Sequence, residues 1–163
     1  MNAAAGPASE VVELEFPARP EVVSVARLVI GALAAAEPGF DDERTADLRL
    51  AVSEACTNAI QAQRRVEEAT GRPEAPISMR CTLGAGEITV EVTDHGGGFD
   101  PGALEPHPAV TDPARLDHEG GLGVPLITML SDDLEFVGST RGTQVVMRFG
   151  PRTPGATPPL EGA

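Results

Sequence analysis

Residues 77–92 constrain the fold of this chain more than any other stretch. Ile77, Met79, Cys81 and Leu83 alternate with Ser78, Arg80 and Thr82. After Gly84-Ala85-Gly86, Ile88, Val90 and Val92 alternate with Thr89 and Glu91. A strict two-residue period puts the apolar side chains on one sheet face and the polar ones on the other. The Gly-Ala-Gly break is a turn signal. The pair therefore reads as two antiparallel strands with one face covered and one in water.

Around this pair the apolar period switches between two and 3.6. Val12, Leu14 and Phe16 share one face of a strand over 11–16, with Glu13 and Glu15 on the other. Val22, Val25, Ala26, Val29 and Leu33 recur at helical spacing through Pro20–Ala36, and Pro38-Gly39 stops that helix. Asp41 or Asp42 can cap the next helix, which runs through Leu48, Ala51, Val52, Ala55 and Ala59 and ends near Gly71-Arg72-Pro73. Helical spacing returns at Val124–Leu130. Two strands follow, Leu134–Val137 and Thr143–Phe149, with Val145, Met147 and Phe149 inward. Phe99–Glu119 has no period and carries four prolines, which marks a functional lid or a disordered segment rather than core structure. This order predicts a two-layer α/β sandwich: a mixed, mostly antiparallel sheet covered on one face by three helices. Residues 1–9 and 150–163 read as disordered tails, the latter crowded with Pro and Gly. One domain remains over 10–149, with its lid at about 99–119.

Composition excludes several function classes. Twelve basic residues face 25 acidic ones, a net charge of −13, the wrong sign for neutralising nucleic-acid phosphates. No run is long and apolar enough to span a membrane, and the N-terminus lacks a secretory signal pattern. The two cysteines, Cys56 and Cys81, have no CxxC spacing; they read as buried free thiols of a cytoplasmic protein. His95, His107 and His118 match no familiar metal-ligand spacing.

Three segments carry chemistry. Glu54 and Asn58 are four apart on the second helix, so both side chains share a face. A carboxylate and an amide oxygen so placed can hold Mg²⁺ or its waters. A solvated helix face is the plainer alternative. Asp94 continues the inward parity of Ile88, Val90 and Val92, and a buried carboxylate needs donors; an adenine amino group is one. Gly96, Gly97 and Gly98 follow it, letting the chain turn and a ligand approach the backbone. The alternative is a simple turn in which Asp94 bonds its own loop. Gly120-Gly121-Leu122-Gly123 runs into a helix with Pro125 in its first turn. Free amides and the helix dipole there attract phosphate, though the glycines could merely be a flexible entry. Thr143 has inward parity and could join Asp94, or be capped by its own backbone.

Taken together, Glu-xxx-Asn, Asp-x-Gly-x-Gly, a lid, Gly-x-Gly and a late Gly-Thr resemble the ATPase domain shared by histidine kinases, type II topoisomerases, a heat-shock chaperone and MutL. The resemblance spans about residues 10–149. Phrases such as Leu50-Ala51-Val52-Ser53-Glu54-Ala55 and Gly121-Leu122-Gly123-Val124-Pro125-Leu126-Ile127 look most like the anti-sigma-factor serine/threonine kinases of the RsbW and SpoIIAB type. The resemblance implies a Bergerat-type ATP-binding fold with ATP and Mg²⁺ as cofactors. It implies that Asn58 ligates Mg²⁺ and that Glu54 is the general base toward a substrate serine or orders the metal shell. Asp94 would bind adenine with Thr143 in support, and Gly96 and Gly98 would shape its pocket. Gly121, Leu122 and Gly123 would cradle the phosphates, with Arg115 as the lid cation. The implied partners are a sigma factor and a STAS-type antagonist. A two-fold dimer through the sheet edge and first helix is the default expectation.

The chain departs from its relatives at Gln61-Ala62-Gln63, where a His or Tyr often stands, and Arg115 is the lone basic residue of the lid apart from histidines. Both bear on phosphoryl transfer, which works by positioning and charge stabilisation. Two functions follow: a kinase that sequesters a sigma factor and phosphorylates its antagonist, or an ATP-gated binding module that transfers phosphate slowly or never. A sensor histidine kinase would carry a helical phosphoacceptor segment upstream, and gyrase- or MutL-like enzymes need further domains; neither pattern is present in these residues.

Overall fold

The computed structural model describes residues 9–73, 75–97 and 123–152. Their order is β1 (Glu10–Phe16), α1 (Val22–Ala36), α2 (Asp42–Thr70), β2 (Ile77–Gly84), β3 (Glu87–Thr93), α3 (Gly123–Leu130), β4 (Asp133–Ser139) and β5 (Gly142–Phe149). The strands form one sheet in the order β1-β2-β3-β5-β4. It was expected to be mixed; all four of its ladders are antiparallel.

The alternating runs pair as their pattern requires. Met79 stands opposite Val92, and Cys81 opposite Val90; Val90 stands opposite Met147, and Val92 opposite Val145. This apolar row packs under Ala26, Ile30, Leu48, Val52, Ala59 and Ile127 of the three helices. The other face is polar. Glu13, Arg80 and Glu91 lie in one cross-strand row, with Arg80 Nη1 3.2 Å from Glu13 Oε1.

α2 starts where Asp41 accepts the Arg44 amide at 2.7 Å, with Asp42 and Glu43 in its first turn, where the helix dipole favours acid. Cys56 on α2 and Cys81 on β2 are free and buried. Burial raises the Cys56 thiol to about 12, with a smaller push from Cys81, and burial raises Cys81 to about 11.

Two expectations change. In α1 the residues facing inward are Ala26, Ile30, Gly31 and Ala34, while Val25 is 50% and Leu28 72% exposed. Ser24 and Arg27 are the only polar residues of this helix, so periodicity could not single out the buried stripe. Packing favours the small residues, which let α2 come close; Gly31 lies directly against the Arg49 side chain. The second change is at the end of β5. Residues 150–152, read as the start of a disordered tail, are held. Gly150 N donates to Asp132 at 2.6 Å, Gly150 O accepts from Arg44 at 2.9 Å, and Arg152 pairs with Glu43 and Asp47 at 2.8 and 2.6 Å. The tail residues 1–8 and 153–163 and the lid at 99–119 lie outside the described residues.

Candidate active site

α2 brings Glu54 and Asn58 to one place. Both are half-buried, and the first residue of α3 sits on them. A Cβ built on Gly123 would lie 2.9 Å from Asn58 Nδ2, 3.1 Å from Asn58 Oδ1 and 3.3 Å from Glu54 Oε2. A larger residue there would displace the ends of the Asn58 and Glu54 side chains. The N-terminal turn of α3, where amides lack intrahelical partners, thus opens beside a carboxylate and an amide. Among the described residues no cluster of three or more His, Cys, Asp or Glu could hold a metal ion. Mg²⁺ needs few protein oxygens and keeps waters and phosphates, so the Asn58 amide oxygen beside Glu54 fits it.

Asp94 defines the other end. It is buried, with 6% of its surface exposed. Its amide donates to Thr143 O at 2.9 Å, and its Oδ1 accepts the Gly96 amide at 2.7 Å. Burial raises its pKa; bonds from the Gly96 and Thr143 amides and the nearby His95 pull it down. A carboxylate kept this far from water suits a ligand that brings its own donor, such as the amino group of a purine.

The two ends are joined through α2. A Cβ on Gly96 would meet the Ala62 Cβ at 2.5 Å and its carbonyl carbon at 2.6 Å. Ala62 lies one helical turn, about 6 Å, beyond Asn58 on the same side. The Asp94 loop is therefore clamped to the helix that carries Glu54 and Asn58. Thr143 is buried at the start of β5, beside Asp94. Of the residues singled out from sequence, Glu54, Asn58 and Gly123 meet at one end, and Asp94, Gly96 and Thr143 at the other. Gly98, Arg115, Gly121 and Leu122 lie outside the described residues, as do His107 and His118.

Sequence reasoning left two supports unread. Gly142, noted only as part of the late Gly-Thr pair, has φ 150°, and a Cβ there would overlap the Asp94 carbonyl oxygen. Ala62 stands within Gln61-Ala62-Gln63, a stretch noted only for what it lacks, and its small size admits Gly96.

Comparison with known proteins bears on the family and the fold. The family model for the histidine kinase-like ATPase domain matches residues 16–149. The chain belongs to that family. Within it, the chain is 32% identical over 133 residues to a serine-protein kinase RsbW of Bacillus licheniformis, covering 78% of each chain. To the RsbW of Bacillus pumilus it is 31% identical over 144 residues, covering 86% of each. To that of Listeria monocytogenes it is 33% identical over 140 residues, covering 83% of this chain and 84% of the relative. The RsbW serine-protein kinases are thus its branch of the histidine kinase-like ATPases. Two solved structures share the fold. One holds the RsbU and RsbW domains of Rv1364c from Mycobacterium tuberculosis, with TM-score 0.58 and 16% identity over 86% of this chain and 32% of that one. The other is the histidine kinase domain of a blue-light-activated kinase from Erythrobacter litoralis, with TM-score 0.52 and 19% identity over 83% of this chain and 61% of that one. No helix among the described residues is long and apolar enough to cross a membrane.

Proposed function

We propose that this chain is a cytoplasmic anti-sigma factor that binds Mg-ATP and phosphorylates a serine of a STAS-type partner. The convergence of Glu54, Asn58 and Gly123 at the middle of α2, with a buried Asp94 whose loop bears on the same helix one turn further on, carries the reading. Bound ATP would supply the transferable phosphoryl group and Mg²⁺ would neutralise its charge. Asp94, backed by Thr143 and Gly142, would hold the adenine amine. Asn58 would offer its amide oxygen to the cation. The amides at the α3 N-terminus would face the phosphates, with Gly121, Leu122 and Arg115 completing their cradle. Glu54 Oε2 would take the proton from the serine Oγ as that oxygen bonds to phosphorus and ADP leaves. Sigma-factor binding and serine phosphorylation are functions of the anti-sigma kinases that the sequence resembles, and the RsbW relatives support the second by name.

A second reading, an ATP-gated partner switch with little transfer, is favoured by Arg115 being the single Lys or Arg in residues 99–119. One experiment separates the two. The chain is incubated with γ-labelled ATP, Mg²⁺ and a STAS-domain protein. The kinase reading expects label on a partner serine, falling by roughly 100-fold or more in Glu54→Ala. ATP binding without label supports the switch. Absence of ATP binding sinks both.

A further inference from the structure

α3 has one end in the candidate site and the other on an arginine. Gly123 lies against Asn58 and Glu54, while Leu130 gives its carbonyl to Arg44 Nη1 at 2.8 Å. A helix of eight residues does not hold its shape or place unaided. Gly123 and Ile127 are the only fully buried residues of α3, with Leu130 packed against the core, so contacts at its two ends add to a small side-chain anchor.

Arg44 is built to grip. It is 2% exposed, and each arm of its guanidinium has its own acceptor. Nε donates to Gly150 O at 2.9 Å, Nη1 to Leu130 O and Nη2 to Asp132 Oδ2 at 2.5 Å. These acceptors belong to three segments: the end of α3, the turn into β4 and the residue after β5. The Phe149 ring centre lies 4.9 Å from the guanidinium carbon. Asp132 Oδ2 also accepts the Gly150 amide at 2.6 Å. A planar fork with every arm engaged has one orientation, and a lysine could satisfy only part of it.

We infer that Arg44 is a positioning residue for the phosphate end of the site. Through Leu130 and Asp132 it fixes α3 along α2, and so sets the gap between the α3 N-terminus and the Asn58–Glu54 pair. This rests on the nucleotide reading above. Arg44 itself touches no substrate. The clamp also holds β5, but at its C-terminal end through Gly150 and Phe149, whereas Thr143 opens that strand and Asp94 follows β3, so the adenine end depends on the clamp less than α3 does. Loosening the clamp therefore weakens what α3 holds more than what Asp94 holds.

Calorimetry of Mg-ATP and of adenosine binding tests the split, using the full chain with Arg44→Lys and with Asp132→Asn. ATP affinity is expected to fall by about tenfold or more, since small misplacements at a site have large effects. Adenosine affinity stays within about twofold. Hydrogen exchange of the α3 amides quickens while that of β3 does not. A folded variant that loses both ligands equally, or keeps the wild-type ATP-to-adenosine ratio, overturns the inference. If Arg44→Lys does not fold, Asp132→Asn decides: its side chain is 58% exposed, and the amide keeps an oxygen for Gly150 N. If the wild type binds neither ligand, the nucleotide reading falls and takes this inference with it.

Discussion

Asp94 sits under opposing demands. Burial raises its pKa, while the Gly96 and Thr143 amides and the charge of His95 lower it, and burial dominates. An acid with a raised folded-state pKa binds a proton more readily in the native than in the unfolded chain. Its contribution to stability is therefore present below the unfolded pKa and lost as pH rises through the folded one. The difference in Tm between wild type and Asp94→Asn, both without nucleotide, should shift against the wild type as pH rises from about 3.5 to about 7. A difference that stays flat across that range would show that the carboxylate is not desolvated. Most of this residue's setting was legible in sequence, because β parity alone turns position 94 inward. The close approach of Gly142 to the Asp94 backbone was not, because a contact between two strands leaves no periodic trace.

At the scale of elements, the amphipathic strands were readable and the uniformly apolar helix was not. β2 and β3 alternate between Val, Ile, Met, Leu or Cys and polar partners, which leaves one arrangement. α1 offers apolar residues on nearly every side, so its buried stripe is chosen by the close approach of α2 rather than by period. The choice is testable by thermal unfolding. Ile30→Ala should cost about 2–5 kcal/mol, as large-to-small changes in a core do. Leu28→Gln should stay within about 0.5 kcal/mol of wild type. Comparable losses at both positions would mean that α1 is rotated from the orientation described. The Arg44 clamp was likewise hidden, since its partners at 130, 132 and 150 are far away in the chain and two of them are backbone carbonyls.

The whole molecule carries 25 acidic against 12 basic residues, and several of its arginines are already committed to pairs such as Arg152–Asp47 and Arg148–Asp133. The remaining negative charge repels itself in the compact state. Raising salt from about 0.01 to about 0.15 M shortens the range of that repulsion to about 8 Å. The Tm of the nucleotide-free protein should then rise; a fall would mean that its ion pairs outweigh its self-repulsion.

α2 is 29 residues long, a rod of about 43 Å. Arg44 lies near one end, Glu54 and Asn58 near the middle, and Ala62 bears on the Asp94 loop beyond them. A rod in contact with so many parts cannot adjust one of them in isolation. One helix thus ties the clamp, the Asn58–Glu54 pair and the Asp94 loop to a single rigid body, and the two halves of the cleft share their alignment.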